Sequence, residues 1–274
     1  MRWRGRKGGG TNGACAQAVC CAALLLTTPA LGGTLTSPGC QFGGTAATVT
    51  AISPSLDLEL TDGRTVRIPG LDPVDPDPGE HARSALSAWL IGRTVSLNVR
   101  AAEPDRWGRT LALVFADLPG DAAAPVSVGE AMIDAGYARI RPDTLAAPCW
   151  ATYQALETSA RLAGLGAWRN PLLAVTAAND SGKLSRQTGS MAIVEGRIST
   201  IRTGRARTYL AFDGQGRSGF AIAVDRRLLL QLTKAGTELK TWVGRTVRVR
   251  GFLDDRFGLQ IELSSLDQVE FTEP

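Results

Sequence analysis

Histidine is nearly absent from this sequence: His81 is the single one in 274 residues. No His/Cys cluster with metal-ligand spacing is present, and neither is a glycine-rich phosphate loop or a serine triad. The zinc-hydrolase, P-loop and serine-hydrolase classes are therefore set aside. His81 itself follows an acidic turn and reads as a solvated residue in the first turn of a helix. Long apolar runs are also missing. The run from Cys15 to Leu26, broken by Gln17, falls short of the ~20 residues a membrane-spanning helix needs, and no other segment is a candidate. Cysteine is sparse as well: of five, Cys15, Cys20 and Cys21 lie within or beside that run.

What surrounds the run reads as an export signal. Arg2, Arg4, Arg6 and Lys7 precede it, and Pro29, Ala30, Leu31 and Gly32 follow it. This pattern predicts a signal peptide over residues 1–32 and a lead over 33–47, with the mature protein periplasmic or secreted. Cys40 and Cys149 then remain, and two cysteines in an exported chain suggest one disulfide; two unrelated buried thiols are the alternative. The formal charge of +4 comes from the leader, because the rest of the chain holds as many acids as bases.

Past the lead, alternating apolar residues predict strands at Thr48–Ser53, Leu56–Leu60 and Thr65–Ile68, with Thr61-Asp62-Gly63 as a hairpin turn. A helix is expected over Glu80–Ile91, ended by Gly92, then strands over Thr94–Arg100 and Arg109–Asp117. Five strands with a helix between the third and fourth is the order of an OB-type barrel. Helices over Val128–Gly136 and Cys149–Ala163 follow. Residues 171–190, rich in Ala, Asn, Ser, Gly and Thr, read as a linker. The same strand order then recurs, with strands at 193–201, 208–212, 220–224, 246–252 and 260–269 and a helix over 225–234. An internal repeat supports the duplication. Trp89-Leu90-Ile91-Gly92-Arg93-Thr94-Val95 leads to Asp105-Arg106-Trp107-Gly108, and Trp242-Val243-Gly244-Arg245-Thr246-Val247 leads to Asp255-Arg256-Phe257-Gly258. The fold class expected is mainly β with helices (α+β), in two tandem five-stranded OB-type barrels at 48–170 and 191–274.

Charge divides unevenly. Residues 33–180 hold 11 bases and 16 acids, whereas residues 181–274 hold 15 bases and 10 acids. The basic half is the better candidate for holding a phosphate backbone. Arg202, Arg205 and Arg207 surround a hairpin beside Tyr209 and Phe212, a mix of cations and stacking rings suited to nucleic acid. A basic face that docks on the acidic first domain is the competing explanation.

The stretch Gly63 to Asp77, GRTVRIPGLDPVDPD, puts Arg67 on a strand that ends among Asp72, Asp75 and Asp77. By itself this is an acidic, solvated turn. Its context changes that reading. TVRIPGLD at 65–72, DRWGRTLALVFAD at 105–117, VGEAMIDAGYARI at 128–140 and GLGAW at 164–168 resemble the thermonuclease, or staphylococcal nuclease-like, family over the whole first domain. The second domain resembles the OB-type domain appended to some exported members, through VEGRI at 194–198, RTYLAF at 207–212 and GRTVRVRG at 244–251.

The resemblance implies a calcium-dependent phosphodiesterase acting on DNA or RNA. It assigns phosphate clamping to Arg67 and Arg109, metal ligation to Asp72 and to the carbonyl of Pro73, and the general base to Asp75. Two departures stand out. Leu56 occupies the position where the family supplies a second metal aspartate, and Asp75 is one methylene shorter than the usual glutamate. Slipping the strand to bring Asp57 into use would turn Glu59 into the core, unless a bulge near Pro54 absorbs the shift. Three readings follow: a nuclease-like protein with an impaired site retained for binding; a working enzyme whose site is rebuilt from Asp72, Asp75, Asp77 and Asp57; and an envelope interaction scaffold.

Overall fold

The computed structural model describes residues 40–73, 78–118, 124–142, 144–212 and 219–272. The expected signal peptide, residues 33–39 of the lead, Asp75 and Asp77 lie outside the described residues.

The first barrel follows from two-residue alternation. β1 (Thr45–Ile52) and β2 (Leu58–Leu60) form an antiparallel pair, and β2 buries Leu58 and Leu60 while exposing Glu59. β3 (Thr65–Arg67) completes the hairpin. β4 (Leu71–Pro73) and α1 (Pro78–Leu90) lead on to β5 (Thr94–Val99) and β6 (Arg109–Ala116). Antiparallel β1–β5 and β5–β6 pairings and a parallel β3–β6 pairing close the ring. This is the OB order expected from the sequence. β7 (Val126–Ser127) pairs with β6, and α2 (Val128–Asp134) starts at Ser127, whose side chain accepts from the Glu130 N–H. β8 (Ala138–Ile140) pairs with β4, and α3 (Trp150–Leu162) closes the domain. The core gathers Leu58, Val66, Leu86, Leu97, Met132 and Tyr153. Cys40 and Cys149 are bonded, at an S–S distance of 2.11 Å, and tie the lead to the start of α3.

Residues 171–190 are not a plain linker. β9 (Thr176–Ala177) runs parallel to the next strand, and α4 (Ser181–Arg186) is capped by Asp180. Leu184 is fully buried in the second core. One buried leucine in a polar segment makes no periodicity, which is why composition alone points to a linker.

β10 (Met191–Thr203), β11 (Arg207–Phe212), β12 (Ala221–Asp225), α5 (Arg226–Lys234), β13 (Thr246–Asp254), β14 (Gln260–Leu263) and β15 (Val269–Phe271) make the second sheet. Its pairings repeat the first ring: β10–β11, β11–β12, β13–β14 and β10–β13 antiparallel, β12–β14 parallel. The last expected strand, 260–269, breaks in two. The Gln268 side chain accepts from the N–H groups of Ser264 and Ser265 and turns the chain, so that β15 pairs with β13. The duplicated turns match in backbone as well as sequence. Gly108 and Gly258 have φ of 77° and 94°, the left-handed region that glycine enters without strain.

The described residues, from Cys40 onward, form one compact unit. Within it, Glu157 of α3 accepts from the Ile140 N–H at 2.8 Å and from Arg250 Nη1 of β13 at 2.7 Å. Arg250 also donates to Glu270, and Ile193 packs with Ala160 and Trp168. Among the described residues no helix is long and apolar enough to cross a membrane.

Candidate functional site

The parallel β3–β6 pairing sets Thr65 beside Arg109 and Arg67 beside Leu111. Arg67 and Arg109 therefore stand diagonally on one face of adjacent strands. The Asp105 turn orients the second of them. Asp105 accepts from the backbone N–H groups of Trp107 and Arg109, and from Arg109 Nε at 2.9 Å and Nη2 at 2.7 Å. Arg106 and Arg109 both lie over the exposed Trp107 ring, 4.0 and 4.7 Å from its centroid.

Between the two arginines sits Asp57. Its Oδ1 accepts from Arg67 Nε, and its Oδ2 accepts from Arg109 Nη1 at 3.3 Å and from the Ser55 hydroxyl at 2.8 Å. Arg67 Nη2 also donates to the Ser55 carbonyl at 3.1 Å. Asp57 is only 4 % exposed. Burial alone would raise its carboxyl, but Arg67, Ser55 and Arg109 outweigh that and hold it below the usual carboxylate range. Burial likewise works against Arg109, and Asp105 and Asp57 more than offset it, raising its pKa.

The obstacle to using Asp57 is removed by the backbone. Leu56 has φ of 62°, a left-handed conformation that is costly for a bulky residue. The turn is closed by the Leu56 N–H donating to the Ser53 carbonyl and the Ser53 N–H to the Asp57 carbonyl. That one kink turns Asp57 toward the arginines while Leu58 and Leu60 keep their buried register. Leu56 itself packs in the core with Ile68, Leu71, Leu86 and Met132.

The other expected residues are arranged differently. Asp72 faces Arg139 across the β4–β8 pair and accepts from its Nη2 at 2.7 Å. Pro73 lines a small cavity with Ser55, Leu56 and Arg67. Asp75 is outside the described residues. The described donors do not fit a calcium ion. Position 56 offers an alkyl chain, Asp57 is shared between two arginines, and Asp72 is paired with a third. Among the described residues no group of three or more His, Cys, Asp or Glu side chains is placed to hold a metal.

In the second sheet, Arg202 and Tyr209 are cross-strand partners on β10 and β11, and Arg205 is exposed in the hairpin. Arg207 is occupied by Glu262, donating to both carboxylate oxygens at 3.1 and 3.2 Å.

Sequence reasoning missed Arg139, although it lies in the quoted GYARI segment, and it missed Glu157 and Arg250. It also passed over Phe257, which the repeat aligns with Trp107.

Residues 74–170 match the family model described as staphylococcal nuclease homologue. The match takes in Arg109 and α1 to α3 and begins just after Pro73. It leaves out the segment holding Leu56, Asp57, Arg67 and Asp72 and takes in Asp75. No curated protein matches the chain.

Proposed function

From the premise that the first barrel is a staphylococcal nuclease-like domain, we propose that the protein engages nucleic acid through its phosphodiester backbone and hydrolyses it weakly or not at all. The observation that carries this reading is Asp57 lodged between Arg67 and Arg109. Two guanidinium groups on one face suit a phosphate, which each can grip through two oxygens. Here an internal carboxylate already takes those donors, so an external phosphate has to displace it. Leu56 in the core and Asp72 on Arg139 leave little for a cation to bridge. Export to the periplasm or the medium belongs to the same proposal, and the Cys40–Cys149 bond supports an oxidising compartment.

A working phosphodiesterase rebuilt around Asp57 is the second reading. It is favoured by the way Asp57 reaches the arginines without any slip of β2. Hydrolysis of single-stranded DNA by the purified mature protein, with calcium and then with chelator, separates the two. The expected result is no chelator-sensitive cleavage. Robust chelator-sensitive cleavage that disappears in Arg67→Ala and Asp57→Ala would establish the rebuilt enzyme instead.

A further inference from the structure

The helix α5 turns its apolar stripe inward. Leu228 and Leu232 are buried in the second core, and Leu229 packs half-buried against it. The opposite face exposes Arg226, Arg227, Leu230 and Lys234, with Leu230 54 % exposed. Helical spacing makes these four residues one patch. Side chains three and four positions apart on a helix are direct neighbours, so Leu230 is flanked by Arg226 and Arg227 on the turn before it and by Lys234 on the turn after. Its remaining neighbour, Thr233, donates its hydroxyl to the Leu229 carbonyl. A single exposed leucine is ordinary on a protein surface, but one ringed by three cations is not explained by packing.

Folding does not need the cations either. Arg226, Arg227 and Lys234 form no ion pair or side-chain hydrogen bond among the described residues. The neighbouring acid, Asp225, caps the helix and accepts from the Leu228 N–H at 2.6 Å. Arg226 and Arg227 stand in the first turn, where the helix dipole disfavours positive charge, so they weaken the helix that carries them. In the first barrel α1 takes the same place, and the exposed ones among its described side chains are His81, Ser84 and Ala88. The fold is therefore satisfied without a cationic outer face. The charge is one-sided along the chain as well. From Arg226 to Arg245 the cations are Arg226, Arg227, Lys234, Lys240 and Arg245, and Glu238 is the only acid.

We propose that the outer face of α5 docks on an anionic phospholipid bilayer, with Arg226, Arg227 and Lys234 at the headgroup phosphates and Leu230 inserted between them. A bilayer surface presents phosphates directly above an apolar layer, which matches cations set around a leucine. A nucleic-acid backbone would engage the cations and leave the leucine in water. Because the helix's own apolar stripe is held in the barrel, the attachment is peripheral and reversible. It needs no spanning helix, and none is present among the described residues. The face is separate from the Arg67–Arg109 clamp and is tested apart from it.

The test is co-sedimentation of the mature protein with lipid vesicles. Binding is expected to vesicles containing phosphatidylglycerol and not to pure phosphatidylcholine. It should fall as salt is raised, since exposed charges are screened beyond about 8 Å at physiological ionic strength. Removing one cation should weaken binding about fivefold, and Arg226→Ala, Arg227→Ala and Lys234→Ala together roughly hundredfold. Leu230→Ser should weaken it roughly tenfold while leaving the binding of an oligonucleotide unchanged. The other two cysteines of the mature chain are bonded to each other, so Leu230→Cys can carry an environment-sensitive dye, whose emission should shift to the blue on the vesicles. Arg226→Ala with Arg227→Ala should keep or raise the unfolding temperature, which separates lost docking from lost folding. Three outcomes overturn the proposal: no binding to phosphatidylglycerol vesicles at low salt, equal binding to both kinds of vesicle, or undiminished binding by Leu230→Ser with no shift of the dye. The last would make the face a purely electrostatic site for another polyanion, such as nucleic acid. None of them bears on whether the first barrel binds or cleaves DNA.

Discussion

The two barrels share a ring of strand pairings and differ in what they do with arginine. In the first, Arg67, Arg109 and Arg139 are each committed to a carboxylate of the same domain. In the second, Arg202 and Arg205 stand exposed beside a cavity walled by aromatic rings, and Leu259 occupies the place of Arg109. The turn that holds the arginine clamp of the first barrel therefore carries an aromatic ring but no clamp in the second. Strand order supplies positions, and the side chains placed on them decide the chemistry.

The largest expected effect comes from the link between the barrels. Arg250 is 2 % exposed and bridges Glu157 and Glu270. Arg250→Met takes from the fully buried Glu157 carboxylate its short ion pair, leaving only Arg161 at 3.9 Å, and should cost about 3–5 kcal/mol in denaturant unfolding. Adding Glu157→Leu should recover part of that loss, since replacing both partners removes the orphaned charge, although the Ile140 N–H then loses its acceptor. If Arg250→Met unfolds the second barrel in a separate transition, the barrels are independent units that merely touch.

Removing the disulfide acts on the first barrel alone. Cys40 and Cys149 are 109 residues apart, a loop long enough that Cys40→Ala with Cys149→Ala should cost about 2–5 kcal/mol. An unchanged unfolding midpoint would mean that the unfolded chain does not gain the freedom this assumes.

Asp57→Asn sharpens the contrast in arginine use. It should destabilise the protein by about 1–3 kcal/mol, because charge-assisted hydrogen bonds are lost in a buried setting. It should also tighten phosphate binding at the freed clamp. The pH dependence has a definite sign. The folded Asp57 carboxyl lies below its unfolded value of about 3.9, so its stabilisation is present above that value and fades as pH falls through the lower, folded one. The variant should therefore lose less stability than the parent on acidification. A parallel decline in both proteins would remove Asp57 from the account.

The smallest effect is expected for Trp107→Ala. Its ring is 63 % exposed, so stability should change by no more than about 0.5 kcal/mol despite the stacked Arg106 and Arg109.

Much of the fold was readable from residues alone. Leu58/Leu60, Val95/Leu97 and Leu111/Leu113 mark strands by their spacing, and the duplicated Trp…Gly-Arg-Thr-Val and Asp-Arg-aromatic-Gly segments mark two copies of one order. The disulfide was readable because few cysteines remained to choose from. The clamp was half readable, since Arg67 and Arg109 fall in motifs. Their actual partner was not, because Asp57 reaches them only through the left-handed backbone at Leu56. A two-residue alternation carries no information about such a kink. The Asp72–Arg139 pair was hidden for a similar reason: β4 and β8 are three-residue strands, too short to announce themselves.

The sequence by itself determined the strand order, the duplication, the charge difference between the halves and the candidate arginines, because these depend on neighbours and local spacing. Only the tertiary structure decided which acid each arginine meets and that Glu157 and Arg250 bridge 93 positions of chain. Those outcomes depend on where separate strands come to lie after the barrels close, and a linear pattern does not encode distance in space.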